Sequence, residues 1–342
     1  MAACTEKPKV LVLGGTGFIG RNFVQFLIKN DLASKIRVCD KVPPQMAWMN
    51  ASHKECFANP LVEFKHANLI SASSMAGVFT TAGGEFDLVI NLAAETKYGQ
   101  SDKVYSEGIV KLSLNCAREA AKRDVGFYIE MSSGQMSTSD KKAMREDMKA
   151  EPWTNLANHK LEVEKELQNI PGLKYSIIRP AIVYGLGDRH GLAQGMISDL
   201  VAQVFGIPYE FLGSVKSNLV RVNMSGVVED INDKHMAPWA EACTKDGITN
   251  TPLNPFIDQE LLYNKPVYLD GSKLEETGFT YDTPSLQVTH LQQILDDYSK
   301  IHLFPQCLLS GKTTLSDQLP DLDISDDLPP LEDLNIANGN DS

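Results

Sequence analysis

The sequence predicts an α/β fold: a doubly wound parallel sheet with a reduced C-terminal lobe. Three observations predict it. Apolar, β-branched runs alternate with stretches of helical period, glycines punctuate the first strand-to-helix turn, and the alternation stops after Gly191. Strands alternating with helices pair in parallel through right-handed crossovers, because a right-twisted strand feeding a helix packs back on its sheet only that way.

The elements follow in order. "KVLVLGG" (Lys9 to Gly15) is apolar on both faces, as a strand covered by helices on both sides must be. "RNFVQFLIKND" follows it with Phe23, Phe26 and Leu27 at helical spacing. "KIRVCD" (Lys35 to Asp40) reads as the second strand, "LVEFKHAN" as the third and "FDLVINLAA" (Phe86 to Ala94) as the fourth. Ser113 to Arg123 reads as a helix and "GFYIEMSS" as the fifth strand. "PWTNLANHKLEVEKEL" (Pro152 to Leu167) holds the next helix, and "KYSIIRPAIVYG" (Lys174 to Gly185) makes the sixth strand. Beyond it "GMISDLVAQVFG" reads as an amphipathic helix, "HMAPWAEACTKDG" as helix and turn, and "SLQVTHLQQILDDYSK" as the last helix.

Composition narrows the class. The chain has 342 residues, 43% of them hydrophobic, enough for a large core. No apolar run approaches the roughly 18 residues of a membrane span. The start, "MAACTEKPKV", lacks a basic segment followed by an apolar one. Both features predict a cytoplasmic protein with no membrane partner. Cys4, Cys39, Cys56, Cys116, Cys243 and Cys307 show no CxxC spacing. They read as reduced thiols rather than a disulfide frame, and no metal site is expected.

The net charge of −12 is lopsided. Eight acids and no basic residue follow Lys312, so the tail carries −8 and the remainder −12 + 8 = −4. No basic stripe is present, which excludes a nucleic-acid partner. "LPDLDISDDLPPLEDLN" is rich in Asp, Leu and Pro without a period, which predicts disorder. Two readings of this tail stay open: a solubilising segment, or a short linear motif that orders on the basic, apolar groove of a protein partner.

"LGGTGFIG" follows the first strand and opens the first helix. Gly14, Gly15, Thr16, Gly17, Phe18, Ile19 and Gly20 satisfy the spacing of a dinucleotide loop. Such a loop needs a tight turn, a backbone approach too close for a Cβ, and a helix N-terminus whose N–H groups face a pyrophosphate. Asp40 ends the second strand twenty residues beyond Gly20, where a carboxylate accepts from the adenosine ribose and repels a 2′-phosphate. This favours NAD over NADP, although Lys41 and Arg21 stand nearby and pull the other way.

With "GGTGFIG", the motifs "NLAAE" (Asn91 to Glu95), "MSSGQMS" (Met131 to Ser137), "LANHK" and "IIRPAIVYGLGDR" (Ile178 to Arg189) stand in order. Together they resemble the extended short-chain dehydrogenase/reductase family, in its NAD-dependent epimerase/dehydratase group. The resemblance implies a Rossmann domain over residues 1–190, a reduced substrate-side lobe over 191–304 and an acidic tail over 305–342. It implies NAD as cofactor and an adenine contact in the "HANL" turn at Asn68 and Leu69, where the family usually has Asp. It places Ala93 and Ala94 along the dinucleotide groove and Pro180 and Tyr184 on the nicotinamide side. It also implies a small-molecule substrate and a homodimer formed through two helices.

In this family a tyrosine lies four residues before a lysine on one helix face. The lysine holds the nicotinamide ribose and lowers the tyrosine's pKa, the phenol exchanges a proton with substrate, and a serine hydrogen-bonds the same oxygen. Here Lys160 matches the lysine and Ser133 the serine, but Leu156 occupies the tyrosine position. Leucine has no proton to give. His159, Tyr98 and Tyr105 are the groups that could substitute, and all three read more simply as packing or helix residues. Lys160 also has a plainer reading, one more charge on a solvated helix face, paired with Glu164 at i, i+4.

The resemblance breaks after Arg189. The family's next strand, of V-H-V-x-D-V type, is not found, which implies a missing internal block joined near Ala193 and Gln194. Three functions remain open: an NAD(H)-binding pseudoenzyme, an active oxidoreductase or epimerase acting on a nucleotide-sugar, sterol or other secondary alcohol, and a truncated isoform of such an enzyme.

Overall fold

The structure is a computed structural model that describes residues 6–81, 84–136, 141–185, 188, 198–205, 224–263, 265 and 267–310. Six parallel strands form one sheet: β1 (Lys9–Leu13), β2 (Lys35–Asp40), β3 (Val62–His66), β4 (Leu88–Asn91), β5 (Phe127–Met131) and β6 (Tyr175–Ile178). Their order is β3-β2-β1-β4-β5-β6. This is the doubly wound arrangement that the alternation predicts, with the strand order reversing on either side of β1.

β1 explains why both faces are covered. Val10 and Val12 face one side with Val24, Leu27, Ile36 and Val38, where α1 (Phe18–Lys29) packs. Leu11 and Leu13 face the other, in a larger cluster with Val78, Phe79, Ala117, Tyr128 and Val163. Those partners come from α3 (Ala72–Phe79), α5 (Leu112–Lys122) and α6 (Asn155–Leu167) as well as from the sheet. Between β2 and β3 lies α2 (Ala51–Phe57), capped by the Asn50 side chain, which accepts from the His53 N–H.

The helix expected from Ser113 begins earlier. A short α4 (Asp102–Tyr105) runs into a π-helical stretch, Ser106–Lys111, before α5. Within it the Gly108 carbonyl accepts from the Glu95 N–H (3.0 Å), so the extra backbone reach of the wide turn ties the helix to the segment after β4. The sixth strand is also shorter than "KYSIIRPAIVYG" suggests. It ends at Ile178, ahead of Pro180, which has no N–H for a ladder.

The chain divides into two units, Met1–Gly191 with Asn264–Ser285, and Leu192–Tyr263 with Leu286–Ser342. The later segment, which the sequence reading assigns to the substrate-side lobe, thus groups with the first unit. Among the described residues it does so by one parallel bridge, Met144 to Leu269, with the Met144 N–H donating to the Tyr268 carbonyl and the Asp270 N–H to the Met144 carbonyl. One bridge is too short to leave a period in the sequence. In this segment lies α9 (Ser272–Glu275).

The second unit contains α7 (Ser198–Phe205), α8 (Met224–Lys245), α10 (Val288–Lys300) and α11 (Cys307–Ser310). The Phe304 ring stands between Phe205 and Trp239, at 6.3 and 5.7 Å. Residues 311–342 of the acidic tail and the Ala193/Gln194 junction lie outside the described residues, while Cys307–Ser310, at the start of that tail, form α11. Among those described, no helix is long and apolar enough to cross a membrane. Five described cysteines are free, and burial pushes the Cys39 thiol up to about 12.

His53 makes the fold sensitive to mild acid. It is buried, and burial first, then the charges of Arg21 and Lys29, pull its imidazole from 6.5 down to about 4. The unfolded chain takes up this proton near pH 6.5 and the folded chain only near 4. Stability from this group is therefore whole above 6.5 and falls through that window, by on the order of 3 kcal/mol. Melting curves should show a falling Tm between those pH values. His53→Gln, which keeps a donor for Asn22, should flatten that slope; parallel slopes for both proteins would refute the assignment.

Candidate active site

The carboxyl end of the sheet gathers the predicted residues of the first unit. At β1 the chain turns through Gly14, whose φ of +74° lies in the left-handed region open to glycine. The turn is also crowded. A Cβ on Gly14 would stand 2.6 Å from the Ala93 nitrogen, and one on Gly20 2.5 Å from the Gly15 Cα. The loop therefore presses directly against the segment after β4. Gly17 is the N-cap of α1; no side chain caps that end and no acid stands in the first turn. Such an end leaves backbone N–H groups and a favourable dipole for a phosphate.

Asp40 does more than its position predicts. Its carboxylate accepts from the Thr16 N–H and from the Val42 N–H, each at 3.1 Å, while the Thr16 hydroxyl donates to the Val42 carbonyl (2.9 Å). It thus binds the glycine loop to the end of β2, with lone pairs left for a ribose hydroxyl. Half-buried Phe18 lies beside Gly185, bringing the segment after β6 to the same loop. Ile19 is half-buried in the first turn of α1. Asn68 is exposed, and its side chain closes a turn by accepting from Ile70 N–H (3.1 Å). Leu69 is buried in the core, so what it offers a ligand is its backbone.

Ser133 stands just beyond β5, and its hydroxyl oxygen accepts from the Gln135 N–H (3.1 Å), which engages a lone pair and not its proton. Gln135 is a hub. Its side chain donates to the Tyr98 hydroxyl (2.8 Å) and accepts from the Thr154 hydroxyl (2.9 Å), and Thr154 in turn caps α6. Pro180 is drawn against this strand end, its carbonyl accepting from the Gly134 N–H at 2.7 Å. Tyr184 is half-buried.

Lys160 and Glu164 correct the plainer reading of their helix. Both are 5% exposed, so they do not lie on a solvated face. The Lys160 ammonium donates to the Met131 carbonyl (2.6 Å) and stands 3.5 Å from the Glu130 carboxylate. Glu164 accepts from the Ser132 hydroxyl (2.5 Å) and from Arg179 Nε (3.0 Å). Leu156, half-buried, packs on the larger core cluster, as do Ala93 and Ala94. His159 holds a ring nitrogen against the Asn155 carbonyl (2.9 Å), and its ring lies 5.4 Å from Tyr105. Tyr105 is buried and donates its hydroxyl to the Lys97 carbonyl (2.7 Å). Both fit the packing roles read for them.

The sequence reading missed a buried polar network: Glu130 accepts from Ser113, Asn91 and Tyr128. The signal for it was a glutamate inside "FYIEM", where a strand interior should be apolar. Among the described residues no cluster of His, Cys, Asp and Glu is arranged to hold a metal ion.

These features define a doubly wound dinucleotide-binding protein with a serine and a lysine at the carboxyl end of the sheet. A family model for the NAD dependent epimerase/dehydratase family matches residues 10–214, and the chain belongs to that family, with NAD as its cofactor. No curated protein sequence matches the chain. Among solved structures it is similar to a dTDP-glucose 4,6-dehydratase double mutant from Streptomyces venezuelae, at 19% identity and TM-score 0.59, over 85% of this chain and 97% of that one. It is similar to UDP-glucose 4-epimerase from Thermotoga maritima, at 20% identity and TM-score 0.57, over 85% and 99%. The match to UDP-glucose 4-epimerase from Thermus thermophilus, solved with NAD, has 24% identity and TM-score 0.47. It covers 59% of this chain and 64% of that one, and the chain spans 52% of a mutated uronate dehydrogenase at 17% identity and TM-score 0.39. At these identities the likeness is one of fold.

The glycine geometry separates folding from binding. A Cβ on Gly17 would stand 3.2 Å from the Gly14 carbonyl, and its φ of −68° suits any residue. Gly17→Ala should therefore melt close to the wild type yet lose more than about tenfold in NADH affinity, because the methyl blocks phosphate approach. Gly20→Ala should instead destabilise by about 1–3 kcal/mol or more, since backbone stands in the way. Equal losses of affinity and stability in both variants would contradict this division.

Proposed function

We propose that the chain is an NAD(H)-binding member of its family that has become a pseudoenzyme or a redox-responsive interaction protein. The observation that carries this reading is Leu156: an apolar side chain packed on the core, at the position from which the family's tyrosine moves its proton. Two of the neighbouring candidates offer no replacement, since Tyr105 is buried with its hydroxyl on Lys97 and His159 is tied to Asn155. When bound, NAD would supply or accept hydride. The chain's own part is to hold it: Gly14, Gly15, Thr16, Gly17, Phe18, Ile19 and Gly20 at the pyrophosphate, Asp40 at the adenosine ribose, Asn68 and Leu69 near the adenine. Ala93 and Ala94 would line the groove, with Lys160, Ser133 and Pro180 on the nicotinamide side. In this reading the protein is cytoplasmic, forms a homodimer, and offers its acidic tail to a protein partner.

A second reading, an active oxidoreductase or epimerase on a nucleotide-sugar, sterol or other secondary alcohol, rests on Tyr98. Its hydroxyl is hydrogen-bonded to Gln135, which also donates its N–H to Ser133. That arrangement brings a phenol into the network of the site's serine. Loss of a general acid–base group costs roughly 10²- to 10⁴-fold in rate, so turnover through Tyr98 would be measurable.

NADH titration followed by nicotinamide fluorescence tests the first part, with saturable binding that Asp40→Ala abolishes as the expected result. Leu156→Tyr tests the second. Under the pseudoenzyme reading it gains turnover of NADH or NAD against a panel of nucleotide-sugars and alcohols, from a wild type without activity. Wild-type turnover that Tyr98→Phe removes would favour the active enzyme instead.

A further inference from the structure

Glu130 stands inside β5, fully buried, in a strand of otherwise apolar and aromatic residues. A carboxylate taken out of water there needs hydrogen-bond donors around it. Three hydrogen-bond donors and one ion-paired cation surround it. Ser113 Oγ donates at 2.8 Å, Asn91 Nδ2 at 2.8 Å and the Tyr128 hydroxyl at 2.9 Å, and the Lys160 ammonium stands 3.5 Å away. Burial, and then the charge of Glu130, push the Tyr128 phenol well above its ordinary range, so it remains a donor. Three of the four belong to the sheet and to α5, and Asn91 among them also accepts from the Ala93 N–H (3.2 Å). The fourth is the one cation that α6 brings to the carboxyl end of β5.

The ammonium has three N–H groups. The Met131 carbonyl takes one, at 2.6 Å, and Glu130 attracts a second. Among the described residues the third is left to give, at the carboxyl edge of the sheet beside the end of β5. We propose that Glu130 is a positioning residue: its buried carboxylate fixes the Lys160 ammonium at the end of β5 with a single N–H available to the dinucleotide. This rests on the reading of that edge as the dinucleotide floor. Glu130 touches no ligand itself and acts through the lysine.

The test is a double-mutant cycle on the full chain with NADH as probe, using Glu130→Gln and Lys160→Met alone and together, with each melting temperature measured beside each affinity. Glutamine keeps the shape of the side chain, and the hydroxyls of Ser113 and Tyr128 can turn to accept from it. Lys160→Met should weaken NADH roughly tenfold, the worth of one charge-assisted hydrogen bond. Glu130→Gln should weaken it several-fold, and the double variant no more than Lys160→Met alone. An unchanged affinity in Glu130→Gln, or an equal loss with and without Lys160, would overturn the proposal, because the carboxylate would then not act through the lysine.

A second readout needs no dinucleotide. In chain labelled with ¹⁵N-lysine, the Lys160 ammonium resonance, assigned by its loss in Lys160→Met, should be a distinct, slowly exchanging signal that broadens away in Glu130→Gln. An unchanged signal overturns the positioning role even where NADH binds. A changed signal sustains it even where the wild type fails to bind NADH, and then the dinucleotide reading alone has failed. Should Glu130→Gln not fold, Ser113→Ala and Tyr128→Phe each remove one anchor from the carboxylate, and the same coupling is expected in smaller measure.

Discussion

Two charges one turn apart on α6 are drawn out of water, and the arrangement of the site follows from finding them partners. Moving an ion from water into a protein interior costs several kcal/mol even after relaxation, and stripping one member from a buried pair costs about 3–5 kcal/mol. Lys160 and Glu164 therefore admit few placements of their helix. One finds Glu130 and a carbonyl at the end of β5; the other finds Ser132 and Arg179, across the ends of β5 and β6. Apolar contacts through Ala157, Val163 and Leu167 add burial but would tolerate a shift along the helix that the paired charges would not. With the helix so held, Leu156 lies one turn before Lys160 on the same face, and the Thr154 cap meets Gln135.

A different force shapes the other half of the site. Around the glycine loop the constraint is steric: Gly14 against Ala93 and Gly20 against Gly15 leave no volume for a methyl group. The loop is thereby pressed between the ends of β1 and β4, and Asp40 ties it sideways to β2 through the Thr16 N–H, with the Thr16 hydroxyl adding a bond to the Val42 carbonyl. A carboxylate satisfied in this way is held in place by the fold itself. The cost of the arrangement falls on sequence freedom, since the three strands β2, β1 and β4 meet at residues that cannot grow.

These two halves differ in how far they can be read from sequence. Sterics around a tight turn are local: seven consecutive residues, Gly14 to Gly20, carry the whole pattern, and β2 is readable to its end residues, Lys35 and Asp40. The buried charges are not local. Glu130 meets Ser113 and Asn91 across 17 and 39 residues, so no window contains the network, and a helical face bearing Lys160 and Glu164 has the same period whether it meets solvent or a strand end. The return of Asn264–Ser285 through one bridge is hidden for the same reason. Element ends suffer more than elements do: "KYSIIRPAIVYG" stays apolar well past Ile178, although the missing N–H of Pro180 ends the ladder. The π-helical stretch before α5 has no propensity signature, because it answers to the Glu95 N–H on a neighbouring segment.

The contrast bears on what the residues of the site can be taken to mean. A lysine and a serine in family positions suggest retained chemistry, yet each has other work here. Without Lys160, Glu130 would be buried with no cation beside it, and the carbonyl of Met131 would lose a donor; the fold needs this lysine whether or not a proton ever moves. The Ser133 oxygen closes a turn onto Gln135, the hub that also holds the Thr154 cap. Neither residue therefore marks the site as active. The tyrosine position is different, because a phenol there would serve chemistry and a leucine serves the apolar cluster it packs on. Of the three positions, Leu156 alone has no polar work in the fold, which is why the proposed function rests on it rather than on Lys160 or Ser133.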